Sequence, residues 1–369
     1  MNKPKIRFKE FQGEWKEIKL GEIFSVEIGE FVIKTKQKNN APYPVYNGGV
    51  SNTGFYDCYN QEGPKIIVSA RGANAGYVNY CTTDFWAGNS CYSIGAKNND
   101  ELKFFFYFLK RFQEIYMKNQ YSASIPSISK QQILRTNLMY PSLPEQRVIA
   151  SYFTALDAQI AASTSRLSSL KQIKAASLLN MFPQKGEMVP RVRFKGFQGE
   201  WKEIKLGEIF SVEIGEFVIK TKQKNNAPYP VYNGGVSNTG FYDCYNQEGP
   251  KIIVSARGAN AGYVNYCTTD FWAGNSCYSI GAKNNDELKF FFYFLKRFQE
   301  IYMKNQYSAS IPSISKQQIL RTNLIYPSLP EQRAIASYFT ALDAQITLHR
   351  ERLEKLKQIK AACLERMFA

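Results

Sequence analysis

The stretch YPSLPEQR occurs twice, at Tyr140–Arg147 and at Tyr326–Arg333. In the first copy Ser142 precedes Glu145 by three residues, which is the spacing of a helix capping box, and Pro144 lies in the first turn, where proline is tolerated. Both copies lead into the amphipathic run IASYFTALDAQI. The stretch therefore predicts that the same long helix begins at two separate places in the chain.

The apolar positions of the two helices alternate in steps of four and three residues, the pattern of a coiled-coil seam. They are Ile149, Phe153, Leu156 and Ile160 in the first helix, and Ile335, Phe339, Leu342 and Ile346 in the second. A helix of about 38 residues extends roughly 57 Å, so it cannot bury its whole apolar stripe against one small domain. We therefore expect the two helices to pack against each other as an antiparallel coiled coil.

The sequence that precedes each helix is a copy of the other. Residues 11–160 recur as residues 197–346, and within them only Met139 and Val148 differ, each replaced by another apolar residue. Each copy is long enough to form a domain with its own core. Two intact copies predict two equivalent domains with two equivalent sites, arranged with pseudo-two-fold symmetry.

Within each domain, short apolar runs bounded by Gly and Asn, such as KIIVSARGANAGYV, predict strands joined by turns. The run DELKFFFYFLKRF predicts an amphipathic helix that is capped by Asn99 or Asp100 and buries Phe104–Phe108 in the core. Ser129 precedes Gln132 by three residues, and this spacing predicts a capped short helix. The sequence thus predicts a mixed α/β (α+β) fold for each domain.

The chain is strongly basic, with a formal charge of +16 and an isoelectric point near 9.3. Such an excess favours a polyanionic partner, and nucleic acid more than an anionic membrane. We find no signal peptide and no apolar run of membrane-spanning length. Seven scattered cysteines and one histidine form no zinc-binding pattern. We therefore expect a cytoplasmic, nucleoid-associated protein with reduced thiols, no membrane contact and no bound metal.

No set of residues in the sequence is typical of a catalytic site. RGANAG at residues 71–76 lacks the Gly-Lys-Ser/Thr of a phosphate-binding loop. Asp57, Glu62 and Lys65 have the wrong spacing for a metal-dependent nuclease. An amino-methyltransferase would need an Asn/Asp-Pro-Pro-aromatic tetrapeptide, which is absent, and His349 lies at a seam position where a packed helix residue is expected. The sequence favours binding over catalysis.

Basic and amide side chains in the domain suit DNA binding. Lys34, Lys36 and Lys38 form a basic run that either lies along DNA phosphates or is a solvated loop. Arg71 and Asn74 stand on a glycine-rich turn, where they either contact the edges of guanine and adenine or only shape the turn.

The segment SASIPSISK precedes the predicted short helix and offers hydroxyl groups and a lysine, which either bind phosphates at the helix N-terminus or act as a cap. Its candidate residues are Ser122, Ser124, Ser127 and Lys130. The duplication places the same candidate groups in the second domain, at Lys220, Lys222, Lys224, Arg257, Asn260, Ser308, Ser310, Ser313 and Lys316.

Each copy opens with G-E-W-x-x-x-x-L-G-E-I, contains S-A-R-G-A-x-A-G-x-V and closes with L-P-E-Q-R-x-I-A. In this order of domain, helix, domain, helix, and over essentially its whole length, the chain resembles the DNA-specificity subunit of type I restriction–modification systems. The resemblance implies target recognition domains at 1–142 and 194–328, spacer helices at 143–182 and 329–369, and a linker at 183–193.

The resemblance also implies a non-catalytic targeting subunit. In that family each target recognition domain reads one half of a bipartite site on double-stranded DNA, and the two helices set the distance between the halves. Two methyltransferase subunits dock on those helices, and restriction (translocase) subunits join them. S-adenosylmethionine, ATP and magnesium belong to these partners, so this chain is expected to hold no cofactor of its own.

The near-identity of the two domains departs from the family, whose members usually carry two different recognition domains and read asymmetric sites. Equal domains related by a two-fold axis read equal half-sites on opposite strands, so the expected target is an inverted repeat. Two other hypotheses stand beside this one. One is a coiled-coil assembly protein whose repeated domains bind protein, and the other is a self-sufficient nuclease.

Overall fold

A computed structural model describes residues 3–98, 100–118, 125–283, 287–304 and 311–368, with the backbone alone at Ile301. The chain forms two compact units, Met1–Thr164 with Glu351–Ala369, and Ser165–Arg350. Each unit contains one copy of the repeated domain together with segments of both long helices. All seven cysteines are free thiols. None of the helices in the described ranges has the length and apolarity needed to cross a membrane.

The elements of the two copies correspond one to one. The first copy contains β1 (Lys16–Lys19), α1 (Leu20–Ile23), β2 (Phe24–Ile28), a 3-10 turn (Lys34–Lys36), β3 (Tyr43–Tyr46), β4 (Gly54–Tyr56), β5 (Lys65–Ser69), β6 (Val78–Cys81), β7 (Trp86–Ala87), β8 (Cys91–Ala96), α2 (Leu102–Lys118), α3 (Lys130–Leu134), β9 (Asn137–Tyr140) and α4 (Leu143–Asn180). The second copy contains β10 (Lys202–Lys205), α5 (Leu206–Ile209), β11 (Phe210–Ile214), a 3-10 turn (Lys220–Lys222), β12 (Tyr229–Tyr232), β13 (Gly240–Tyr242), β14 (Lys251–Ser255), β15 (Val264–Cys267), β16 (Trp272–Ala273), β17 (Cys277–Ala282), α6 (Leu288–Lys304), α7 (Lys316–Leu320), β18 (Asn323–Tyr326) and α8 (Leu329–Arg366).

In the described part of the first domain the strands form three sheets. An antiparallel sheet has the order β2-β8-β5-β6, a smaller one has the order β4-β3-β7, and β1 pairs with β9. The second domain repeats this topology as β11-β17-β14-β15, β13-β12-β16 and β10-β18. The β1–β9 pair holds the beginning of the domain beside its last strand, which leads directly into α4.

Strand β5 is covered on both faces, which explains its continuous apolar sequence. Ile66 and Val68 lie in the main core, whereas Ile67 packs with Phe85 in a separate small cluster on the opposite face. Helix α2 packs on β5 and β6, and its Phe104–Phe108 segment contributes fully buried rings to the main core. The prediction that this aromatic run is core is confirmed, although Phe106 is only partly buried.

The core of each domain is completed by residues from both long helices. In the first unit Phe153 of α4 stacks on Phe368, two residues beyond the end of α8, with ring centroids 5.7 Å apart. In the second unit Phe339 of α8 stacks in the same way on Phe182, which follows the end of α4. Each domain therefore depends on a residue that is distant in sequence.

Within each unit the two helical segments run antiparallel, as predicted. In the first unit Tyr152 contacts Cys363, and Asp157 accepts a hydrogen bond from Lys360, so residue numbers rise on one helix as they fall on the other. The same Asp157 carboxylate accepts a hydrogen bond of 2.8 Å from Tyr107 of α2. One cluster thus joins the domain to both helices.

The predicted seam residues face inward in their own units. Ile149, Phe153, Leu156, Ile335, Phe339, Leu342 and Ile346 are buried, and Ile160 is half-buried. His349 is also half-buried, with its Nδ1 atom enclosed. The histidine is therefore packed in the helix, in the position that the sequence suggested.

The sequence predicted that Glu145 caps α4 as part of a capping box, and this prediction is wrong. The Glu145 carboxylate accepts hydrogen bonds from Arg7 Nε and Nη2 at 2.7 and 2.8 Å and is 1% exposed. A buried carboxylate needs a charged partner, and the bidentate guanidinium satisfies both of its oxygens. Glu331 and Arg193 form the equivalent pair in the second unit.

The other two predicted caps have different outcomes. Helix α3 has its capping box, because Ser129 and Gln132 exchange side-chain and backbone hydrogen bonds. At the start of α2 the side chain that accepts a helix N–H is Glu101, from Lys103 at 3.3 Å, because the Asp100 carboxylate accepts a hydrogen bond from Gln146. Asn99 lies outside the described residues.

Candidate nucleic-acid interface

The turn that carries Arg71 is held by its backbone. Arg71 pairs with Ser127 as an isolated β-bridge, and the Gly72 N–H donates to the Pro126 carbonyl at 2.9 Å. Gly76 has φ of +89°, and a Cβ there would lie 2.7 Å from Cβ of Tyr116 on α2. Glycine is therefore required where the turn passes against the helix.

This geometry brings together candidates that are far apart in sequence. Arg71 is exposed, Asn74 and Ser127 are half-exposed, and Lys130 is exposed in the first turn of α3. Among the described residues the Arg71 guanidinium and the Asn74 amide have no hydrogen bond or ion pair. The cluster offers cationic and amide groups to a partner.

The second domain repeats the cluster. Arg257 pairs with Ser313, and the Gly258 N–H donates to Pro312 at 2.9 Å. Asn260 and Lys316 occupy the positions that correspond to Asn74 and Lys130. Four predicted candidates lie outside the described residues, namely Ser122, Ser124, Ser308 and Ser310.

The basic run forms a separate structure, the 3-10 turn Lys34–Lys36. Tyr56 anchors its beginning, since the Tyr56 hydroxyl accepts from the Ile33 N–H at 2.7 Å and donates to the Ile33 carbonyl at 2.9 Å. Lys34 and Lys36 are exposed, and in the described part of the chain neither forms an ion pair. Lys220 and Lys222 form the same turn in the second domain.

Lys38 differs from its two neighbours, because it forms an ion pair with Asp57. Lys224 and Asp243 form the equivalent pair. The partners of the first pair are 63% and 60% exposed, so the pair is well solvated and stabilises the fold little. It nevertheless places an acidic group beside the third lysine of the run.

The loop at residues 47–53, between β3 and β4, was not predicted as part of the site, yet it connects the Arg71 turn with the lysine turn. On one side Gly49 accepts a hydrogen bond from Ser69, the last residue of β5, at 3.1 Å. On the other side Thr53 accepts from Gln37 at 3.3 Å. Its sequence, NGGVSNT, is rich in amide and hydroxyl groups and has paired glycines. This composition was the sequence feature that could have indicated a binding loop. These hydrogen bonds link the three segments, which together we call the edge of the domain.

A half-buried lysine of α2 holds the backbone that follows the Arg71 turn. Lys110 of α2 donates to the Val78 carbonyl at 2.7 Å and to Gln113 at 2.8 Å, and its ammonium lies 3.9 Å from the Tyr77 ring centroid. Burial, reinforced by the positive charge of Lys360, lowers the pKa of Lys110 to about 8. Lys110 therefore fixes the residues that follow the Arg71 turn.

The model of the type I restriction modification DNA specificity domain matches this chain twice, at residues 12–172 and 198–358. The chain belongs to the family of type I DNA-specificity subunits. The two matches coincide with the two copies found in the sequence, and each includes one domain with the Arg71-type cluster and the beginning of one long helix. Recognition of DNA sequence within a restriction–modification complex is the role of this family.

Curated relatives that carry the name type I specificity subunit are similar to this chain over most of its length. One from Mycoplasma genitalium is 24% identical over 359 residues, which cover 96% of this chain and 94% of that protein. One from Mycoplasma pneumoniae is 22% identical over 302 residues, 80% of each chain. The crystal structure of the S subunit from M. genitalium superposes with a TM-score of 0.79, covering 100% of this specificity subunit and 99% of that chain at 24% identity. The fold is therefore that of a type I specificity subunit.

Proposed function

We propose that this specificity subunit directs its complex to DNA as a non-catalytic targeting subunit, with each domain binding one half of a bipartite site. The observation that carries the proposal is the pair of equivalent clusters around Arg71 and Arg257. Each presents exposed cationic and amide groups on an edge held by backbone hydrogen bonds. Such an edge suits both phosphate contacts and base contacts.

The proposed partners are double-stranded DNA, two methyltransferase subunits docked on α4 and α8, and restriction (translocase) subunits. S-adenosylmethionine, ATP and magnesium bind those partners, and the complex works in the cytoplasm at the nucleoid. A structure of a type I restriction–modification complex contains a chain of the same fold, with a TM-score of 0.53.

The two domains have the same recognition edge, so the proposed target is an inverted repeat. Met139 and Ile325 lie in β9 and β18, whereas Val148 and Ala334 lie in the long helices. None of these four residues belongs to the Arg71 turn, the lysine turn or the 47–53 loop, or to their counterparts. Identical edges bind identical sequences, and on a two-fold axis these sequences lie on opposite strands.

Mapping of methylated adenines in a host that carries this subunit and its methyltransferase tests the proposal. The expected motif is a short sequence, a gap of unspecified bases, and the reverse complement of the first sequence. A host with the methyltransferase but without this chain should lack the motif. Two unrelated half-sites would contradict the inverted repeat.

A further inference from the structure

Phe31 and Phe217 are the most exposed large apolar side chains among the described residues, at 72% each. Phe31 follows β2 on a segment whose backbone is held on both sides. The Glu30 N–H donates to Ala87 at 2.8 Å, and Ile33 exchanges two hydrogen bonds with the Tyr56 hydroxyl. The ring therefore projects from an anchored segment.

The direction of Phe31 follows from its neighbour. Val32 is buried in a small cluster with Val45 and Tyr56, and in an extended segment successive side chains point to opposite sides. The exposed ring is disfavoured in water, because removing a phenylalanine side chain from water is favourable. Ile28 and Ile33 on the same segment are also exposed, at 51% and 41%, and a group of exposed apolar side chains marks an interaction site.

The chemistry around the ring indicates the class of that partner. Phe217 lines a cavity of about 430 Å³ together with Trp272, Ile219, Lys222 and Lys224. Lys34 and Lys36 lie three and five residues after Phe31 and are exposed, and the exposed Glu30 precedes it. Asp243, the ion-pair partner of Lys224, also lines the cavity. Proteins that bend duplex DNA insert apolar side chains such as phenylalanine between base steps, while neighbouring lysines contact the phosphates. Duplex DNA fits this surface better than a protein partner does.

We propose that Phe31 and Phe217 enter the DNA duplex as apolar wedges between adjacent bases, one beside each half-site, while the lysine turns hold the flanking phosphates. The proposal rests on the proposed function, in which each domain binds a half-site. Insertion of a phenylalanine unstacks a base step and bends the duplex. Unstacking also lowers the cost of extruding a base, which a methyltransferase must do to reach its target amine.

The test uses the full chain in complex with its methyltransferase and duplexes that carry the mapped motif. 2-Aminopurine is placed at successive positions, and duplex bending is measured by energy transfer between end labels. We expect wild type to give enhanced fluorescence at one step beside each half-site, together with bending. We expect F31A/F217A to lose both signals and to bind roughly tenfold more weakly per wedge, whereas F31L/F217L should retain bending because leucine also serves as a wedge.

Matched controls distinguish a DNA wedge from a protein-docking residue. Ile6 and Val192 are exposed apolar residues at equivalent positions of the two copies, and I6A/V192A should leave both signals unchanged. Unaltered DNA binding and bending by F31A/F217A would overturn the wedge alone. Loss of the methyltransferase from purified F31A/F217A complexes, with DNA bending intact, would also overturn it, in favour of protein docking. If the wild-type complex does not prefer the motif to a scrambled duplex, the proposed function itself fails.

Discussion

At the scale of single residues, Arg71 takes its position from backbone contacts and not from its own side chain. The bridge to Ser127 and the bond from Gly72 to Pro126 hold the turn, while the guanidinium is exposed. Because the turn does not need the guanidinium, the hypothesis that Arg71 only shapes the turn loses support. Contact with a guanine edge is favoured instead.

We expect R71A/R257A to relax specificity at one base in each half-site. A bidentate arginine–guanine contact discriminates by about 1–3 kcal/mol, which corresponds to roughly a 5- to 150-fold loss of preference. Competition among duplexes that vary one base at a time measures the loss. R71A alone is the matched control, since it should change one half-site only. Equal weakening of binding to every sequence would show that Arg71 contacts a phosphate.

At the scale of elements, each domain is closed by a residue just beyond the long helix that follows the other copy of the domain. Phe368, after α8, closes the first domain, and Phe182, after α4, closes the second. Phe368 contacts Phe104, Phe108 and Phe153, with centroid distances between 5.3 and 5.7 Å. The start of α4 is held in addition by the ion pair between Arg7 and the buried Glu145 carboxylate. Packing and a charged hydrogen bond together fix how each helix leaves its domain.

We expect F368A to lower the free energy of unfolding of the first unit by about 3–5 kcal/mol, because it removes a buried ring and leaves a cavity. Hydrogen exchange of α2 amides measures the loss locally. F182A should produce the same effect on α6 of the second unit and little effect on α2. A change below about 1 kcal/mol would mean that the core closes without this ring.

At the scale of the whole molecule, duplication and charge act together. The formal charge of +16 provides a long-range attraction to DNA that is independent of base sequence. The duplicated edges provide two equivalent recognition sites. Affinity from phosphates and selectivity from bases therefore come from different sets of residues.

We expect DNA affinity to fall steeply with salt, with a slope of about 0.9 in log–log units for each phosphate that a lysine neutralises. Alanine at Lys34, Lys36, Lys220 and Lys222 should flatten the slope by about 3–4 if each contacts one phosphate. Fluorescence anisotropy titrations over a range of salt concentrations measure this change. K9A/K195A, at exposed lysines of equivalent position, is the control. An unchanged slope would show that the lysine turns are solvated loops.

Features that depend on near neighbours were predictable from the sequence. The Ser129–Gln132 capping box, the buried phenylalanines of α2 and the two long helices follow from spacings of three or four residues, and each was found. The positive charge, the duplication and the family motifs are also properties of the sequence alone. These determined the fold class, the two-domain organisation and the DNA-specificity role.

The tertiary structure alone decided the contacts between distant residues. Glu145 has the spacing of a cap, yet it binds Arg7, which lies 138 residues away. Phe368 completes the core around Phe153, and the 47–53 loop joins the Arg71 turn to the lysine turn. Periodicity reports only which residues share a face of one element, whereas such pairs depend on which surfaces the folded chain brings together. The exposure of Phe31 was decided in the same way, because burial of its neighbour Val32 turns the ring outward.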